Sequence, residues 1–138
     1  MTRRSPCVVV IALGCLIALL LGGCATSLRE ARAQEPRYTR SGIGTPEGAA
    51  HCVQDYLEEH FGGFLGRFGG LIYEVRREDA ASDLIGRAAM VPADVFFVLS
   101  LTRPGSDQVQ AQLRMENWRS WHVSAVIQSI EACVRPAS

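Results

Sequence analysis

The stretch Asp94-Val95-Phe96-Phe97-Val98-Leu99-Ser100-Leu101-Thr102 decides how the remainder of the chain must fold. Val95, Phe97, Leu99 and Leu101 alternate with Phe96, Val98 and Ser100, a period-two pattern of β-branched and large apolar residues that predicts a strand with one face on a core. Arg103-Pro104-Gly105-Ser106-Asp107 follows with turn chemistry. Gln108 to Glu116 then returns with Val109, Ala111, Leu113 and Met115 inward and Gln110, Gln112 and Arg114 outward. The two runs predict a β-hairpin. Upstream, Leu71, Tyr73 and Val75 alternate with Ile72, Glu74 and Arg76, a third half-buried strand. Residues 79–93 carry mixed signals, in which Ser82 caps one helical turn, Gly86 ends it and Pro92 leads into the strong strand.

Helical periodicity flanks these strands. From about Pro46 to Phe61, the residues Ala49, Cys52, Val53, Tyr56, Leu57, His60 and Phe61 form one stripe, with Gln54, Asp55, Glu58 and Glu59 opposite. Thr45 serves as N-cap and Pro46 as the first helical residue, which accounts for the glycines of 42–48 without a phosphate-binding loop. Gly62 is expected to stop this helix, since each glycine in a helix costs about 1 kcal/mol against alanine. Gly62, Gly66 and Gly70 recur every four residues, and a loop is the simpler reading of them than a membrane-contacting element. A last helix runs from Asn117 or Ser120 to about Val134, with Val123, Val126, Ile127, Ile130 and Cys133 on its apolar stripe. The expected architecture is α+β, ordered helix-strand-strand-strand-helix: a three-stranded antiparallel sheet with two helices packed on one face.

The N-terminus has a different character. Arg3 and Arg4 precede a 16-residue apolar run from Cys7 to Gly22, short for a spanning helix, which needs about 20 residues. It closes on Leu21-Gly22-Gly23-Cys24. This segment resembles the signal peptide and lipobox of bacterial lipoprotein precursors. The resemblance covers this segment alone and does not extend into residues 25–138. It implies removal of residues 1–23, diacylation and amide acylation (palmitate-type chains) at Cys24, and attachment to a membrane through that lipid. Ala25 follows the cysteine where inner-membrane retention commonly uses aspartate, so the resemblance favours the periplasmic face of the outer membrane. From Ala25 to about Ser41, Leu28 and Tyr38 are the large apolar residues, so residues 24–43 are expected to be a solvated, flexible tether and 44–138 a single globular domain. Contact of Arg29, Arg32, Arg37 and Arg40 with anionic lipid heads is the alternative to that solvated spacer.

The mature chain of 115 residues holds one domain, with 12 arginines against 14 acidic residues, a formal charge of −2. Nucleic-acid binders carry a basic excess, so no nucleic-acid partner is expected. With Cys7 and Cys15 in the signal and Cys24 lipidated, Cys52 and Cys133 remain in an exported, oxidising setting. A disulfide between them closes a loop of about 80 residues and contributes about 4 kcal/mol on the chain-entropy model; two separately buried thiols are the alternative.

Motifs for chemistry are absent: no HExxH, CxxC, G-x-S-x-G or P-loop occurs, so neither an enzyme nor a cofactor is expected. His51 and His60 are nine residues apart, on opposite sides of one helix, and cannot share a metal ion from it. One spot invites a partner. With the helices over the Val95/Phe97 face, Phe96 and Val98 lie on the open face among Glu74, Arg76, Gln110, Gln112 and Arg114, an apolar patch with a polar rim. Phe96, Val98, Arg76 and Arg114 are thus the candidate partner-binding residues, unless Leu84, Ile85, Met90 and Val91 fold over them. The expected function is a membrane-tethered, non-enzymatic lipoprotein that acts in cell-envelope assembly, scaffolding or as an adaptor by docking another envelope protein. The alternative is a carrier of a small apolar ligand, its pocket lined by Tyr56, Phe61, Phe64 and Phe97.

Overall fold

A computed structural model describes residues 27–65, 71–88, 94–115 and 121–137. The chain starts with α1 (Leu28–Ala33), β1 (Tyr38–Ile43) and α2 (Pro46–Leu65). Four strands follow, β2 (Leu71–Glu78), β3 (Ala81–Ala88), β4 (Val95–Gly105) and β5 (Gln108–Met115), and α3 (Trp121–Cys133) closes the order. All pairings are antiparallel, and the sheet order is β1-β5-β4-β3-β2. Helix α2 thus carries the chain from one edge of the sheet to the other, and three hairpin steps bring it back.

This corrects the expected three-stranded sheet: the described fold has five strands and three helices. The β4–β5 hairpin and β2 form where alternation predicts them, with Val95 and Phe96 the exceptions to the predicted faces. The first extra strand is β3, where Ser82 and Gly86 do not bound a helical turn. Asp79 takes a positive φ of 47°, a conformation Asp tolerates. With Ala80 it makes a two-residue turn, so Glu78 faces Ala81 and Ala81–Ala88 lie beside β2. Gly86 is required within β3, because a Cβ there would stand 2.6 Å from Cδ1 of Phe97.

The second extra strand comes from the expected tether. Tyr38–Ile43 pairs along β5, and Gly42 lets its backbone approach the chain after α3, where a Cβ would stand 2.9 Å from Val134 Cγ1. Ile43 N donates to Arg135 O at 2.9 Å. Before it, Ser27 caps α1: its hydroxyl accepts from Glu30 N at 3.3 Å while its own N–H donates to Glu30 Oε2 at 2.8 Å.

The main core lies between the sheet and α2 with α3. It joins Ala49, Ala50, Val53 and Leu57 of α2, Val123, Val126 and Ile130 of α3, and Leu84, Phe97, Leu99, Leu101, Val109 and Leu113 of the sheet. Helix α2 continues past Gly62 to Leu65. Its buried stripe is also rotated from the expected one: Ala50 is fully buried, whereas Cys52 and His60 are exposed.

Candidate functional site

The face of the sheet away from α2 and α3 was the expected docking surface, and α1 sits on it. Leu28 and Ala31 pack over Ile85, Val95 and Val98. Arg32 anchors the other end of the helix, donating from Nε and Nη2 to Asp83 Oδ2 at 3.0 and 2.6 Å and from Nη2 to Glu78 Oε1 at 2.8 Å. Asp83 is buried, so the ion pair with Arg32 matches a desolvated carboxylate to a fixed guanidinium. Hydrogen bonds that Arg32 donates, to Glu78 first and then to Asp83, hold its guanidinium above its ordinary pKa.

Phe96, Val98 and Arg114 have different surroundings from the ones expected, whereas Arg76 keeps its exposed place. Val98 is fully buried beneath α1. Phe96 lies on the other face of the sheet, half-buried against the main core, with its ring edge-on to His122 at 4.9 Å. A β-bulge is the cause: Gly86 faces Phe97 but Arg87 faces Val95, so two residues of β4 oppose one of β3. Beyond the bulge the alternation reverses, sending Val95 to the α1 side and Phe96 to the helix side. Arg114 donates from Nε to Gln34 O at 2.8 Å and pins the chain leaving α1. Arg76 remains exposed and donates from Nε to Glu74 Oε1 at 2.6 Å, while Arg87 reaches Glu74 Oε2 at 3.1 Å. Those two arginines, Arg76 foremost, keep the Glu74 carboxyl below its usual range.

A cleft of about 480 Å³ opens at the N-terminal end of α2, lined in part by Thr45, Glu47, Arg77, Asp79, Ser82 and Arg103. Its two arginines face two carboxylates, and Arg77 is already ion-paired with Glu47. The Thr45 hydroxyl is spent capping α2, accepting from Gly48 N at 3.1 Å. The cleft mixes polar and apolar lining and is balanced in charge.

No protein-family model matches this chain, and no curated protein does. Its chemistry is therefore read from its own side chains. His51 and His60 are exposed, and His60 stacks on Tyr56 with ring centroids 4.1 Å apart. No cluster of three metal-ligating side chains occurs among the described residues. The Phe97 ring, expected to line an apolar pocket, is sealed in the core against Gly86. Phe61 and Phe64 side chains, Gly66 to Gly70, Met90, Val91 and the whole segment through Cys24 lie outside the described residues. No helix of the described residues is long and apolar enough to cross a membrane.

Cys52 and Cys133 come together at disulfide distance, their Cα atoms 5.8 Å apart, and join α2 to α3. They do so at the rim of the helix pair, with Cys52 exposed and Cys133 half-buried, not both in the core as expected. Sequence reasoning set Arg32 among the tether arginines and missed Asp83 and Glu78, the carboxylates that Arg32 pairs with. The signal for α1 was present: Ser27-Leu28-Arg29-Glu30 has the spacing of a capping box.

Proposed function

We propose that this chain is a membrane-tethered, non-enzymatic lipoprotein of the bacterial cell envelope. Cys24 carries the lipid, at the periplasmic face of the outer membrane, and the domain acts through protein–protein contacts as an assembly, scaffolding or adaptor component. The observation that supports this best is positional. The capped helix α1 begins directly after Ser27, three residues beyond Cys24, a distance of about 10 Å at full extension. A lipid on Cys24 would hold the domain close against the bilayer, instead of at the end of a long leash. The Cys52–Cys133 pair at disulfide distance suits the oxidising side of a membrane.

The test is an intact mass of the chain extracted from host membranes, beside a Cys24→Ser variant. A chain starting at Cys24 with added acyl mass, and loss of the variant from the membrane fraction, is the expected result. An unmodified full-length mass would overturn the anchor.

A further inference from the structure

We propose that β2 is the seat of a second copy of this chain, two copies joining their β2 edges antiparallel about a two-fold axis at Val75 to form one continuous sheet. The two edges of the sheet are unlike. On β1, the chain after α3 comes alongside, with Ile43 bridged to Arg135. On β2 the outer side carries no strand among the described residues. The strand pairs with β3 over eight unbroken positions, from Leu71 opposite Ala88 to Glu78 opposite Ala81. It has no proline and no bulge, two of the devices that keep an edge from recruiting another strand. Ile72, one of two large apolar side chains exposed among the described residues, stands on it at 50% exposure.

The charges of β2 select both the partner and the register. When two copies share one sheet, facing residues must lie on the same face, so their numbers differ by an even amount. Centring the pair on residue 74 sets Glu74 against Glu74. Centring it on residue 76 sets Arg76 against Arg76 and Glu74 against Glu78. Both registers oppose like charges. Centring on Val75 sets Glu74 against Arg76 twice, Tyr73 against Arg77 twice and Ile72 against the stem of Glu78 twice, with no like charges opposed. Opposite charges across a strand pair attract and like charges repel, so the strand is self-complementary in this register alone among the three. Glu74 and Arg76 are ion-paired on one strand and both partly exposed, so the charges that would meet the partner stand at the surface of β2. The pairing needs no lipid on Cys24.

The experiment uses the full chain in the cells that express it. Val75→Cys, Glu74→Cys and Arg76→Cys are each treated with a mild oxidant, and covalent dimer is read on non-reducing gels and by intact mass. Dimer is expected at Val75→Cys, the position that meets itself, and not at the other two. Sedimentation of purified protein supplies a second measure. Arg76→Glu sets two repulsive pairs across the axis and is expected to raise the dissociation constant about tenfold, and Glu74→Arg with Arg76→Glu restores it. A chain that stays monomeric, crosslinking at residue 74 or 76 in place of 75, or no restoration in the double variant would each overturn the proposal, including the case in which another protein occupies this edge.

Discussion

Val95 and Phe96 show how one residue redirects a surface. The bulge opposite Arg87 exchanges the faces of these two side chains, so the apolar spot expected on the open face is divided between two cores. The neighbouring Gly86 is equally constrained, because the Phe97 ring fills the space above its Cα. Gly86→Ala should therefore lower the unfolding free energy by about 2 kcal/mol, since overpacking a tight core typically costs 1–3. Urea denaturation measures it, and an unchanged midpoint would show that the ring moves aside freely. His122 supplies a pH-dependent term. Burial holds its pKa below the ordinary 6.5, so the folded state favours the neutral ring. Its contribution is complete above the unfolded value and is lost as pH falls below about 6.5. Melting temperature should accordingly drop between pH 7 and pH 5, and His122→Gln should flatten that slope.

At the scale of elements, α1 is the least secure piece of the fold. Six residues cannot hold a helix in water by propensity, so α1 depends on its cap and on what it covers. Ser27→Ala removes the side-chain acceptor at the N-cap, a change that costs about 1 kcal/mol in helices generally. Hydrogen exchange should then speed up in residues 28–34 and in the covered strands near Ile85 and Val98, with the α2–α3 core unchanged. Equal protection in both proteins would mean that Arg32 and Leu28 suffice to hold the helix. The long elements were legible in sequence because each repeats its period several times: β4 and β5 by alternation, α2 and α3 by their stripes. The elements β1 and β3 were not, for a shared reason. Ser82, Asp83, Thr39 and Ser41 carry little hydrophobic signal, and these segments are ordered by what they pair with: β3 between two strands, β1 on the far edge of β5.

For the molecule as a whole, the Cys52–Cys133 pair ties the two helices that close one side of the core across 81 residues of chain. Reduction should lower stability by about 4 kcal/mol on the chain-entropy model, seen as a shift in the urea midpoint with reductant present. No shift would mean that the helix pair is held by packing alone. The sequence by itself determined the strong hairpin, the two long helices and their shared side of the sheet, and it narrowed the two cysteines to a disulfide or two buried thiols, between which the structure chose. Those features follow from local periodicity and from cysteine arithmetic, which need no knowledge of neighbours. The tertiary structure alone decided the number of strands, the bulge that redirects Phe96 and the burial of Val98 under α1. The place of α1 and β1, and with it the burial of Val98, depends on hydrogen bonds and ion pairs between residues far apart in the chain, such as Arg32 with Asp83 and Arg114 with Gln34, and no local pattern encodes a partner at that distance.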